Sequence, residues 1–327
     1  MKKLVLVLLA LTLAGGMVFA AGGSQGGKAA DGLGDYPNKP IQCIVPYAPG
    51  GGTDVFVRTV LKYAKFPQPI AVVNIDGASG LVGGMQGYNS PNDGYTIIAH
   101  MPMDLVGMSL SKQTQVPLYA DLVPICWAVT DYNGTFTSKD SGFKSIEDVV
   151  AYAKANPGEL KWGAVGARSV NMVLTLRTIE GLGLKGLVTV VPYDGGATIR
   201  TALMGGHVDV SNNSLGDYAS IIQSGDAFPL MLITEKRTNL SPNTPTTVEK
   251  GLKDVVTLVP RGFYAPKGTN PAQVRYLEGI FKAAIESPEF VADMNKVFVD
   301  AFFLGGEEGY ARTLKAYDEM KPYFDNF

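Results

Sequence analysis

Histidine, cysteine and tryptophan each occur only twice in this sequence. His100, His207, Cys43 and Cys126 stand apart from one another, so no metal-ligand spacing can be drawn from them and no metal site is expected. A basic excess is also missing: 28 Lys and Arg stand against 30 Asp and Glu. Nucleic acid is therefore an unsuitable partner, because its phosphates require a basic face. No G-x-S-x-G elbow, H-E-x-x-H helix or P-loop occurs, and "GASGLVGG" departs from the G-x-G-x-x-G spacing of dinucleotide loops. With no activated nucleophile and no cofactor motif, the chain does not read as an enzyme and no cofactor is expected. No fixed period recurs, which argues against a solenoid. Charged residues make up only 18% of the chain against 46% hydrophobic ones, a balance that excludes a disordered protein.

The apolar run from Leu4 to Ala14 is shorter than the roughly 20 residues of a membrane helix. Preceded by Lys2 and Lys3 and followed by small residues around Ala20 and Ala21, it reads as a secretory signal peptide over residues 1–20. Residues 21–35 then form a flexible, glycine-rich leader. No cysteine precedes Cys43, so a lipid-anchored cysteine at the cleavage point is excluded. The expected location is periplasmic or otherwise extracytoplasmic. Loss of Lys2 and Lys3 leaves 26 basic against 30 acidic residues, a formal charge of −4. Disulfides are permitted in that compartment. Cys43 in "IQCIV" and Cys126 in "LVPICWAV" read as small buried hydrophobes in strands, and a bridge depends on a distance the sequence does not fix.

What the chain has in abundance is glycine, 39 residues in 327, well above the usual share of about 7%. Its length favours two compact lobes over one core, and two lobes imply a crevice. From Tyr36 a pattern recurs: a short apolar run, a glycine-rich turn, then an amphipathic stretch. "IQCIVPY" leads through "APGGGTD" to a helix with Phe56, Val57, Val60, Leu61 and Ala64 at helical spacing. "IAVVNI", "YTIIAH", "LKWGAV", "LVTVVPY", "VDVSNN" and "PLMLIT" read as further strands. Such alternation predicts an α/β fold with mostly parallel sheets flanked by helices. The segments from Asn270 to Phe298 and from Tyr310 to Phe324 read as helices packed on the first lobe. The lobes are thus expected to comprise residues 36–130 plus 241–327 and residues 131–240, with the chain crossing twice to make a hinge.

In open parallel sheets, ligands sit beyond the carboxyl ends of strands, where helix N-termini present free N–H groups and about half a positive charge. Gly50, Gly51 and Gly52 open the first such terminus to an anion, with Thr53 or Asp54 as the cap. Asp54 would repel an anion if it faced inward, so it is expected to face away. Similar turns follow at Gly77 to Gly84, at Gly166 to Ser169 and at Asp194 to Gly196. Arg168 is the one cation among them and could fork onto a carboxylate. Polar residues at strand ends, Tyr47, His100, Tyr193, Asn212 and Asn213, complete the candidates. His100 reads as a rim residue and His207 as a structural one.

At these residues the chain resembles the receptors of tripartite tricarboxylate transporters, also called Bug receptors. The matching segments are "YPNKPIQCIVPYAPGGGTD", "VVNIDGASGLVGG", "SPNDGYTII", "VPYDGGATIRTALMGGHVDV", "TEKRTNLSPNTPTTVEKG" and "RGFYAPKGTNPAQV". They run in family order from Tyr36 to about Val274 and together are specific. The resemblance implies a two-lobed periplasmic-binding-protein fold of type II that closes on a small carboxylate and delivers it to membrane permease subunits, with the receptor a monomer. It implies carboxylate pincers at Tyr47, Ala48, Pro49, Gly50, Gly51, Gly52 and Thr53 and at Gly166 to Asn171. Gly80 and Gly83 would lie in the floor. The family pattern has a second glycine, a Ser or Thr and then a histidine where this chain has Arg168, Ser169 and Met172. Arg168 is accordingly expected to read an extra negative charge.

Micromolar affinity requires about 8 kcal/mol, while one charge-assisted hydrogen bond contributes roughly 1.5–3. One loop cannot supply that, so closure of both lobes on the ligand is required. A sensor subunit for a signalling partner uses the same clamp, and a secreted hydrolase would need a nucleophile the sequence does not display.

Overall fold

The computed structural model describes residues 33–325 apart from residue 258, so the expected signal peptide and most of the leader lie outside the described residues. The first lobe begins with β1 (Ile41–Val45), α1 (Gly52–Tyr63), β2 (Ile70–Asn74), α2 (Leu81–Tyr88), β3 (Thr96–His100), α3 (Pro102–Leu110) and the single turn α4 (Leu118–Asp121). β4 (Val123–Asp131) then leaves it, and after Tyr132 the chain enters the second lobe as β5 (Asn133–Ser138). There follow α5 (Ile146–Ala155), β6 (Lys161–Val165), α6 (Val170–Gly181), β7 (Thr189–Tyr193), α7 (Gly196–Met204), β8 (Val210–Ser214), α8 (Ala219–Gln223) and β9 (Ala227–Leu232). The chain returns as β10 (Val259–Ala265) and ends with α9 (Pro271–Ile285), α10 (Pro288–Lys296), β11 (Asp300–Gly305) and α11 (Gly306–Phe324).

The first sheet has the order β11-β4-β10-β3-β1-β2 and the second β7-β6-β8-β5-β9. Both are mixed. β1 runs parallel to β2 and β3, and β6 runs parallel to β7 and β8, as the strand–helix alternation predicts. The remaining ladders are antiparallel. This departs from mostly parallel sheets for a topological reason. β4 carries the chain out of the first lobe and β10 brings it back beside β4, from Val259 opposite Asp131 to Ala265 opposite Val123, so the two must run in opposite directions. β11, which the sequence analysis leaves unassigned, adds an antiparallel edge to β4 with an irregular register.

Local signals explain several element ends. α5 opens on a capping box in which the Ser145 side chain accepts from the Asp148 N–H while Asp148 reaches back to Ser145, and it stops at Asn156. The face of α1 carrying Phe56, Val57 and Val60 is fully buried on the first sheet. There Phe263 of β10 stacks on Phe281 of α9 at 4.0 Å and lies 5.2 Å from Phe56. Trp162 and Val149 centre a separate core in the second lobe. The lobes also touch: Val170, Val173 and Leu174 of α6 cluster with Phe324 of α11, backed by Met103 and Leu110 of α3.

Cys43 and Cys126 are buried and unbridged. They lie on β1 and β4 with β10 and β3 between, three strand spacings or roughly 14 Å, far beyond disulfide reach. Burial pushes the Cys43 thiol up to about 12, so it is inert as a nucleophile. No helix among the described residues is long and apolar enough to cross a membrane.

Truncating the aromatic stack at the centre of the first lobe, Phe263→Ala, should destabilise the protein by about 3–5 kcal/mol. Urea unfolding measures this, and the same substitution at the half-buried Phe228 of β9 should cost distinctly less.

Candidate ligand-binding cleft

Between the lobes, at the carboxyl ends of β1, β6 and β7, lies a cavity of about 190 Å³. Drug-sized ligands occupy roughly 300–1,000 Å³, so this one suits a small metabolite. Helices α1, α6 and α7 all start at its wall. The N-cap residues of α1 and α7 are Gly51 and Gly195, which have no side chain to satisfy the first amides. α6 is capped by Ser169, whose Oγ accepts the Met172 N–H at 3.1 Å. Over the cavity the lobes meet closely: a Cβ at Gly166 would lie 2.7 Å from Ser79 Oγ.

A carboxylate of the protein occupies part of this ring of amides. Asp217, just beyond β8, accepts the Gly52 N–H at 2.7 Å across the cleft. A Cβ at Gly52 would stand 2.2 Å from Asp217 Oδ1, and one at Gly196 would stand 2.3 Å from Oδ2. Glycine is required at both positions so that the carboxylate fits between the two helix ends. Burial pushes Asp217 upward from the ordinary carboxylate value, with Arg261 pulling the other way.

Arg261 of β10 is 2% exposed. Its Nη1 lies 2.8 Å from Asp131 Oδ2, and its Nη2 donates to Ser214 Oγ at 3.2 Å and lies 3.8 Å from Asp217. Burial opposes the charge, but Asp131 and Asp217 more than offset it and hold the guanidinium protonated. The same two acids are thereby kept from standing unpaired in a poorly solvated place.

On the opposite wall, Asp104 of α3 accepts a hydrogen bond from the Tyr47 hydroxyl at 2.8 Å. Burial pushes this carboxyl up to about 6. Behind it His100 is fully buried, and its Nδ1 accepts the Met101 N–H at 2.9 Å with the Tyr47 hydroxyl 3.3 Å away. Burial pushes His100 down to about 4, leaving it neutral.

Of the residues singled out from the sequence, Tyr47, Ala48, Gly51, Gly52, Thr53, Gly80, Ser169 and Asn171 are brought together in the lining. Pro49 and Gly50 sit on the exposed outer side of the turn. Gly83 packs beneath it, where a Cβ would stand 2.5 Å from the Ile75 carbonyl oxygen. His100 is a buried support for Tyr47 rather than a rim residue, because β3 is covered on both faces. Gly166 and Tyr193 flank the lining, joined by a 2.7 Å hydrogen bond from the Gly166 N–H to the Tyr193 carbonyl. Asn212 points into the second lobe's core, where its Oδ1 accepts from Trp162 Nε1 at 3.0 Å and Thr135 Oγ1 at 2.8 Å. Arg168 is exposed and outside the lining, and among the described residues its carbonyl accepts a hydrogen bond from Gln113. Asp54 does face away, accepting from Gly50 N–H at 2.9 Å and Arg58 Nε at 2.9 Å, but the cap of α1 is Gly51.

The model of the "Tripartite tricarboxylate transporter family receptor" matches residues 58–314. The chain belongs to this receptor family. It is 30% identical over 277 residues to the UPF0065 protein in the gbd 5' region of Cupriavidus necator, covering 84% of this chain and 83% of that one. In fold it matches Rhodopseudomonas palustris Rpa4515 with adipate at a TM-score of 0.82 and 23% identity, over 88% of this chain and 97% of that chain. It also matches malate-bound MatC from the same organism at 0.78 and 19%, over 88% and 100% of the two chains.

Asp104, Asp217 and Arg261 do not stand out in the sequence of this receptor as site residues. One signal was available: Arg261 is a lone charge in the apolar strand "VPRGFYA", and a charge there must find buried partners. Nothing local marks the two aspartates, whose surroundings come from distant segments.

Removing the guanidinium in Arg261→Gln leaves Asp131 without its buried partner and should cost about 3–5 kcal/mol in urea unfolding. Asp104 should give the ligand-free protein a distinctive pH response. Its carboxyl titrates at about 6 in the fold, against about 3.9 in an unfolded chain, so the native state binds the extra proton between these values. Stability from this group therefore falls as pH rises from about 4 to about 6 and stays lower above. In Asp104→Asn that loss disappears: thermal melts should favour the variant at pH 7.5 by about 1–3 kcal/mol, with the gap closing near pH 4.

Proposed function

We propose that this extracytoplasmic receptor binds a small organic carboxylate between its lobes and delivers it to membrane permease subunits of the tripartite tricarboxylate type. The observation carrying this reading is the small cavity between the lobes onto which the glycine-led N-termini of α1 and α7, from different lobes, direct main-chain N–H groups. Helix ends of this kind suit anions without any metal or covalent chemistry. Family membership points the same way, as do the malate- and adipate-bound proteins of like fold. Tyr47, Ala48, Gly51 to Thr53, Gly80, Ser169 and Asn171 face the ligand in this reading. Pro49, Gly50, Gly83, His100, Gly166 and Tyr193 hold the shape of the turns. We take the lobes as residues 36–131 plus 259–327 and residues 133–257, with the return later than 241 because the Thr247 N–H donates to the Leu232 carbonyl and the Thr257 N–H to that of Ile233 before β10 re-enters the first sheet.

Closure around the ligand recruits donors from both lobes and gives the permease a shape that the open form lacks. The receptor performs no turnover in this scheme, and its monomer suffices for binding.

A thermal-shift panel of succinate, malate, adipate, citrate and amino acids tests the assignment. A ligand at a hundred times its dissociation constant adds about 2.7 kcal/mol, a shift of a few degrees for a protein of this size. A melting temperature that none of the acids moves would overturn the receptor reading.

A further inference from the structure

We infer that Asp217 is a specificity-determining residue: its carboxylate fills an anion seat between the ends of α1 and α7, and the ligand this receptor takes therefore carries one carboxylate rather than two. The inference rests on the receptor reading and narrows the class of its ligand. Contacts on both sides define the seat. Asp217 Oδ1 accepts the Gly52 N–H at 2.7 Å, and a Cβ at Gly196 would stand 2.3 Å from Oδ2, so the two oxygens lie against helix ends of different lobes. The side chain is 13% exposed, and a second carboxylate has no room between it and the two glycines.

The turn that bears Asp217 keeps it in place. Its carbonyl accepts from Arg200 Nη1 at 2.7 Å, and the Gly216 N–H donates to Asp131 at 3.0 Å. Tyr218 is fully buried, its ring 4.6 Å from Phe136 and its hydroxyl 2.7 Å from Ser211 Oγ. A ligand thus meets this carboxylate as a fixed part of the wall. Charge leads to the same count. The starts of α1, α6 and α7 contribute about half a positive charge each, and the Asp217 carboxylate offsets two of them. Arg261, the one cation among the described residues of the lining, is paired with Asp131 at 2.8 Å and leaves no positive charge to spare. The first turns of α1 and α7 still present Thr53 and Ala197 to the cavity, which serves one ligand carboxylate. A second would be set against Asp217 or, on the opposite wall, Asp104, where like charges repel at close range.

Calorimetric titration of the full receptor with isosteric pairs tests this. The pairs are succinate and succinamate, glutarate and glutaramate, and adipate and adipamate, in each of which one carboxylate becomes an uncharged carboxamide. In each pair that binds, the monoamide should bind ten-fold or more tightly than the diacid. In Asp217→Ala, which empties the seat, that preference should shrink to within about three-fold. Asp217→Asn, which removes the charge and keeps an oxygen for the Gly52 N–H, should shrink it as well and provides a second reading should the first variant fold poorly. The preference of the unmodified receptor should persist in about 0.5 M KCl, because groups in contact are screened far less than a distant net charge. A diacid that binds as tightly as its monoamide overturns this inference while leaving the receptor reading standing. A preference that both variants retain, or that vanishes in salt, overturns its assignment to Asp217. Absence of binding by all of these compounds and by every acid of the thermal-shift panel would overturn the receptor reading itself.

Discussion

Arg261 holds a full positive charge where almost no water reaches it, and three separate parts of the chain are arranged around that fact. Its strand, β10, brings the chain back into the first lobe; Asp131 ends β4, the strand that leaves; Ser214 and Asp217 belong to the second lobe. Gly216 N–H also donates to Asp131 at 3.0 Å, which ties the same carboxylate to the turn bearing Asp217. An isolated guanidinium in such surroundings would be far too costly, so the pairing fixes how the two crossing strands and the far lobe meet. The double crossing is thus specified by electrostatics as well as by strand pairing.

From that fixed point the cleft takes its character. The ends of α1 and α7 face each other across the lobes, and glycine at Gly52 and Gly196 leaves just enough room for Asp217 between them. The protein's own carboxylate therefore bridges the lobes in the way a bound acid would, with the Gly52 amide as its donor. On the other wall, Tyr47 and the neutral His100 hold Asp104 facing the cavity. Main-chain donors positioned by helices also reorganise little on binding, which limits the entropy that association must overcome.

The lobes meet closely over the cavity, near Ser79 and Gly166. A ligand can shift a two-state equilibrium only through different affinities for the two forms. α6 packs against α11 through Val173 and Phe324, so the two lobes share buried apolar surface away from the cavity as well.

The sequence by itself determined the strand–helix alternation, the glycine turns at strand ends, the family to which the chain belongs and the lack of metal-ligand spacing. These rest on short-range rules: period, cap and turn preferences are written within a few residues of where they act. Tertiary structure alone decided that the sheets are mixed, that β11 closes one edge, that Asn212 and His100 turn inward, and that Arg168 stays outside. It also brought Asp104, Asp217 and Arg261 to one cavity from three distant segments. The reason is the double crossing of the chain: it sets which residues share a cleft through pairing between strands far apart in sequence, and no local pattern encodes that distance.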